Sequence, residues 1–499
     1  MKSGPLRIFL RHSALLPAVF SIQCQYDYFQ NAINREKDTD NPVISQTEPT
    51  RNSVIRKLNS LRITFSEPVK NATSTANYVL SGDGLGTLAL SAVAVSSESE
   101  VTLQFSGTMT DGSVSIKING VADKVENPLN DSEIVFTSDA TPKWRYIGRA
   151  VSRQTIAVNS APSLAFDSQY LYAAISESNC INTGVTDITI MRYDLTAGTW
   201  SVVGDYCLGG ASLVSTNNSS VFPALLLHGG SLFVAYTDGA TYSSPNKFVR
   251  VKVFKNGMWE VLGAPLPAQV GANSSYASIA ATGDNIYLSV RDLGNSGRVS
   301  VYRNTIATPG AWTLMGTNGL SAGNVFRQAP VRIFNSELYL GFRDGGSVGP
   351  TGQPSVLKWD GTSSWATIGA VDTLASDYFN LVTTASDLWA IYQQGGVASV
   401  AFKKSSGGAW SQGVTNLTTE GTPNYLSAQV NGANVYAGYQ VAATTVCRFK
   451  YHDGAAWAEL GSGLTCGNPS ILLINGKIHA VFRDQDATYA DKLSAAYFE

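Results

Sequence analysis

Arginine and aspartate recur together at one kind of place in this sequence. Arg291-Asp292, Arg343-Asp344 and Arg483-Asp484 each end a short alternating strand, and Asp238 stands in the same slot of another. A guanidinium presents a rigid fork of N–H donors that grips carboxylates and sugar hydroxyls. Repeated at one slot of a repeated unit, such groups either line a binding surface or form salt bridges that lock neighbouring sheets. Other chemistry has thin support. His12, His228, His452 and His479 lie in unrelated contexts, and neither a G-x-S-x-G elbow nor an H-E-x-x-H pair is present. With no C-x-x-C and no paired histidines, zinc is not expected. The sequence therefore predicts no catalytic residue, no metal and no cofactor.

The cysteines speak to compartment. Cys180, Cys207, Cys447 and Cys466 fall into two local pairs, and the fifth, Cys24, closes the N-terminal apolar run. Disulfides Cys180–Cys207 and Cys447–Cys466 are expected of an exported chain, against the alternative of four buried thiols. Residues 1–24 have a basic start (Lys2, Arg7, Arg11) and an apolar stretch shorter than the roughly 20 residues that span a bilayer. That pattern fits a signal peptide. Residues 25–44 are polar and aperiodic, like a tether.

The elements that position these residues are repeats. Trp144, Trp200, Trp259, Trp312, Trp365, Trp410 and Trp457 each follow a turn, usually with glycine four residues on. A second column, out of phase, holds Tyr172, Phe233, Tyr287, Tyr339, Trp389, Tyr436 and His479, each just after a tight turn. In this column His479 is read as a core residue. Each unit reads as four short antiparallel strands: inner strand, turn, second strand, variable loop, third strand, hairpin, Trp strand. One such sheet cannot bury both faces, but copies packed radially can. The fold class is therefore all-β, with a seven-bladed β-propeller over 141–499. The lone strand "KWRYIG" (143–148) completes the last blade, which ends at "DKLSAAYFE" without a Trp strand.

Three resemblances add to this. The Cys24 junction resembles the lipobox of bacterial lipoproteins, although Gln23 and Ser21 depart from the usual residues, and implies acylation of Cys24. Residues 45–140 resemble bacterial Ig-like modules of the S-layer-associated type, through "TFSEPV" (64–69), "ANY" (76–78) and "GVADKVENPL" (120–129), with Glu126 where the family often has Gly. That implies a β-sandwich spacer. The hairpins loosely resemble the Asp-boxes of sialidase-type propellers, where the carboxylate closes a turn and has no catalytic role. "FRQAP" (326–330) echoes that family's Arg-x-x-Pro motif, but in the fourth blade instead of the first, and is read as coincidence.

Charged residues are 14% and the net charge is −2, with no long Lys/Arg run, which speaks against nucleic acid and anionic membrane surfaces. The expected protein is a monomeric, non-catalytic surface binder in the cell envelope, lipid-anchored at the bacterial outer membrane. Its extracellular protein, matrix or glycan ligand would sit on the loop-rich propeller face, contacted by Asp238, Tyr242, Arg291 and Arg343. A glycan-processing enzyme of sialidase-like type and a purely structural envelope lipoprotein are the alternatives.

Overall fold

The computed structural model describes residues 38–157, 160–180, 184–208, 218–240, 247–264, 266, 275–325, 327–345, 352–395 and 397–499. The chain divides into two compact units at Thr141/Pro142. The expected signal peptide (1–24), Cys24 and most of the expected tether (25–44) lie outside the described residues. No helix among the described residues is long and apolar enough to cross a membrane.

The first unit is a β-sandwich. One sheet orders Ile44–Glu48, Ser60–Phe65, Glu100–Ser106 and Ala89–Ser97; the other orders Val54–Ile55, Glu133–Ser138, Gly112–Ile118 and Tyr78–Ser81. Alternation sets the inner faces: Leu61, Ile63 and Phe65 are buried while Ser60 and Arg62 are exposed. The closing segment is built on Asp123, whose carboxylate accepts from the amides of Val125 and Asn127 (both 2.8 Å). Within that turn Glu126 has φ 75°, which accounts for a glycine being favoured there.

The second unit is a β-propeller. Among the described residues its strands form four four-stranded sheets, one five-stranded sheet and one eight-stranded sheet in which two repeats are joined, and the repeats within them are numbered here as blades one to seven. Their inner strands are Ser163–Phe166, Asn218–His228, Ser275–Thr282, Val331–Phe334, Ser376–Thr383, Pro423–Asn431 and Leu464–Ile474. Each inner strand contacts the next, and the last contacts the first, so the ring is closed. The core is accordingly seven apolar wedges between neighbouring sheets. The wedge between blades seven and one, for example, joins Ile474, Val481 and Leu493 to Leu171, Ile175 and Met191. His479 lies in the wall as expected, 6% exposed and stacked on Tyr497, and burial lowers its pKa to about 4.

The Trp template turns out to be a joint between blades. Trp200 Nε1 donates to the Ile147 carbonyl at 2.9 Å, Trp259 to Val203 at 2.7 Å, Trp365 to Met315 at 3.0 Å, and Trp144 to Leu460 at 2.8 Å. In each case the acceptor directly precedes the recurring glycine of the preceding blade. Gly204 has φ 73°, and a Cβ there would lie 2.8 Å from Trp259 Cδ1. The glycine is thus required both by its backbone and by the indole laid on it. Trp410 lies beside Gly369, but its buried Nε1 has no hydrogen-bond partner among the described residues. In blade five Val414 takes the glycine's place, and Trp457 bonds the carbonyl of Thr415 instead, at 2.7 Å. The hairpins before the tryptophans are closed by Asp194, Asp360 and Asp453, whose carboxylates accept from the amides two and three residues on.

Closure uses the first strand of the unit. Trp144–Gly148 pairs antiparallel with Leu493–Phe498, and Arg149 grips Asp484 with two hydrogen bonds of 3.1 Å. Both disulfides are present. Cys180–Cys207 links loops of blade one. Cys447–Cys466 spans two blades, because Cys466 lies in the strand that becomes the inner strand of blade seven after first pairing with the third strand of blade six.

Candidate functional site

The inner strands enclose a central cavity of about 410 Å³ to which all seven blades contribute. That volume is within the range of small-molecule sites. Its wall is held by hydrogen bonds from blade to blade. Ser163 Oγ accepts from the Leu225 amide (2.8 Å), Ser427 Oγ from the Ile471 amide (3.1 Å), and Ser470 Oγ donates to the Pro162 carbonyl (2.6 Å).

One residue per blade crowns this wall where the inner strand begins: Ala161, Phe222, Tyr276, Gln328, Tyr378, Tyr425 and Asn468. In blades two, three, five, six and seven the pairing register shifts here. At those shifts Phe222, Tyr276, Tyr378, Tyr425 and Asn468 have φ between 46° and 58°. A bulge with a left-handed residue turns its side chain out of the pleat. Bulky side chains rarely adopt that conformation, and strained backbone of this kind clusters at functional sites. The aromatics pair across blades, with ring centroids 4.3 Å apart for Phe222 and Tyr276 and 5.7 Å for Tyr378 and Tyr425.

Arg327 completes the collar. Its guanidinium lies 3.7 Å from the centroid of the Tyr378 ring, and its Nε donates to Asp377 at 2.8 Å. Burial works against this charge, but the Asp377 carboxylate outweighs it and holds the guanidinium above its ordinary pKa. Burial pushes the Tyr378 phenol up to about 12. It therefore stays protonated at neutral pH, a hydrogen-bond donor and a poor base. The arrangement offers flat apolar faces for stacking, a cation beside them, and hydroxyls around the rim.

The residues expected to make ligand contacts are placed differently from one another. Asp238 is 4% exposed and ion-paired with Arg250 within its own blade. Arg291 Nε donates to Asn324 at 3.0 Å. Arg343, also buried, brings Nη1 within 3.9 Å of Asp377 and so joins the Arg327 cluster. Tyr242 lies outside the described residues. The partner aspartates brace loops: Asp292 accepts from the Asn295 amide and Ser300, Asp344 from the Ala322 amide, and Asp484 from Arg149 and Ser494. The collar aromatics and Arg327 were not singled out as site residues from the sequence. The available signals were the aromatic opening the inner strand in "VFPALLL", "SYASIAA", "DYFNLV" and "NYLSAQ", and the arginine of "FRQAP".

In the first unit Asp38, Glu67 and Asp123 bring carboxylate oxygens within 4.8 Å of one another. Burial, then the neighbouring carboxylates, raise the pKa of Glu67. Asp123 is already engaged by its turn.

Residues 38–138 match the family model of the bacterial Ig-like domain. No curated protein matches the chain. Among solved structures, an ulvan lyase of polysaccharide lyase family 25, bound to -[GlcA(1-4)Rha3S]-, is similar at 11% identity and a TM-score of 0.46, over 70% of this chain and 95% of that one. The endosialidase of phage phi92 is similar at 10% identity and a TM-score of 0.41, over 74% and 71%. An α-L-arabinofuranosidase from Fusarium graminearum is similar at 11% identity and a TM-score of 0.40, over 72% and 97%.

Proposed function

We propose that this chain is an exported bacterial surface protein whose propeller binds a glycan at the aromatic collar of its channel without turning it over. The observation that carries this reading is the stack of Arg327 on Tyr378 within a ring that also holds Phe222, Tyr276 and Tyr425. Sugar rings present apolar C–H faces and hydroxyl edges, and an aromatic collar with cations and phenols meets both. The collar belongs to a rigid closed ring, so little ordering is needed on binding.

Binding without turnover is supported by what the cavity lacks among the described residues. No carboxylate lines it, whereas most glycoside hydrolases flank the scissile bond with two. Asp377 lies beside the collar but is held by Arg327. Two disulfides and a bacterial Ig-like domain fit an exported protein whose N-terminal spacer carries the propeller outward. Acylation at Cys24 is part of the same reading, and fatty-acid label should be lost in Cys24→Ala.

A glycan array probed with residues 38–499, followed by calorimetry, tests the function. A hit weakened at least tenfold by Arg327→Ala is expected, with no product after long incubation. Released sugar, or an unsaturated product, would make the protein an enzyme. Binding that survives Arg327→Ala but disappears when residues 38–136 are removed would move the site to the Ig-like unit.

A further inference from the structure

A second guanidinium lines the same channel, and the collar does not explain it. Arg332 lies on the inner strand of blade four, five residues along the chain from Arg327. Extended backbone spans at most roughly 16 Å over that distance. At the corresponding level of other blades the wall is formed by Val382, Gln429 and Leu472, two of them apolar. Arg332 Nη1 donates to the Val331 carbonyl at 2.8 Å and approaches Ser278 Oγ at 3.4 Å. Both acceptors are neutral, and no carboxylate pairs with Arg332 among the described residues. Burial alone acts on it, holding its pKa below the ordinary arginine value.

A buried cation with no carboxylate partner is costly to keep. Valine or leucine at this level, as at Val382 of blade five and Leu472 of blade seven, would fill the wall without that cost. A guanidinium here gains only when an anion reaches it, and low local dielectric then makes the pairing strong. Arg327 faces the collar with Nη donors that have no protein acceptor among the described residues, so the blade-four wall presents cations at two depths.

We infer that the glycan is acidic, and that a carboxylate or sulfate it carries passes the aromatic collar and docks on Arg332. This rests on the reading that the collar binds a glycan. Neutral glycans would engage the collar alone and bind more weakly.

The test uses residues 38–499 as wild type, Arg332→Gln, Arg332→Lys and Arg327→Ala. Thermal shift is read with sulfate, acetate and chloride at matched ionic strength, so that general screening cancels. Calorimetry is then run with the acidic and neutral oligosaccharides found on the array. Sulfate should raise the melting temperature of wild type and of Arg332→Lys above the chloride value, and the rise should vanish in Arg332→Gln. Acidic-glycan affinity should fall at least tenfold in Arg332→Gln with neutral-glycan affinity unchanged. Equal acidic-glycan binding by wild type and Arg332→Gln would overturn the inference and leave the collar reading standing. A sulfate shift lost in Arg332→Gln, with no glycan bound by wild type, would overturn the collar reading and mark a free-anion site instead. If Arg332→Gln does not fold, Arg332→Lys decides: it should keep the sulfate shift, and its loss of acidic-glycan binding should stay small.

Discussion

The rim and the centre of the propeller treat their repeats in opposite ways. At the rim six blades set an indole against a glycine of the preceding blade, and among the described residues four of those indoles also bond the carbonyl before it. At the collar, equivalent backbone positions carry Ala161, Phe222, Tyr276, Gln328, Tyr378, Tyr425 and Asn468. The rim poses one mechanical problem in every blade, and most blades meet it in the same way. The collar surrounds a single space, so its residues need only be complementary together. Uniformity therefore marks what holds the ring, and variation at a shared backbone position marks what the ring presents.

This contrast can be broken experimentally. The largest effect should come from the rim joint that closes the ring. A chain beginning at residue 150 loses the Trp144–Gly148 strand, the Trp144 indole packed 4.4 Å from Phe449, and Arg149 on Asp484. It should aggregate or melt far below a chain beginning at residue 137, measured by circular dichroism. Equal melting would mean that closure by this strand is dispensable.

A smaller effect is expected within an intact rim. Gly204→Val combines a left-handed backbone with a side chain driven into Trp259, and should cost about 3 kcal/mol in urea unfolding. Gly229→Ala is the control, since its φ is also positive, at 56°, but nothing lies within 4 Å of the added carbon. It should cost about 1 kcal/mol. Similar costs for the two would show that the indole contact contributes little.

The smallest effect on stability should be at the collar. Tyr276→Gly removes a bulky residue from φ 58°, so relief of strain offsets the lost contact with Phe222. Stability should change by less than about 1 kcal/mol while glycan affinity falls severalfold, since stacking surface is removed. A large loss of stability with affinity intact would make the collar a structural element like the rim.

Much of the fold was legible because its rim is uniform. The two repeat columns showed a propeller and the strand that completes its last sheet, and the local cysteine pairs gave both disulfides. The reason for the glycine was not legible, since it depends on an indole from another blade. The collar was hidden for a different reason. Left-handed positions announce themselves in sequence by glycine or asparagine, and of the five collar residues in that conformation only Asn468 obeys. The tyrosines read as ordinary strand residues. Arg327 was visible in "FRQAP", but its partners Asp377 and Tyr378 are about 50 residues away, in the next blade. The Arg-Asp slots were legible as a pattern, yet whether each reaches a ligand is decided by partners such as Arg250 for Asp238, which no spacing announces.

The closing strand also sets the order in which this molecule can be made. Trp144–Gly148 leaves the ribosome roughly 350 residues before its partner Leu493–Phe498. Until then the growing chain is an open arc with two bare sheet edges, one at each end. The entropy of closing so long a loop rises only logarithmically, so the finished ring is little penalised for it. The time spent open is the greater hazard, because unpaired edges recruit strands from other chains. Assembly of the ring is therefore a race between its own two edges and the edges of its neighbours. It should be won most often at low concentration or under the guard of a holding chaperone.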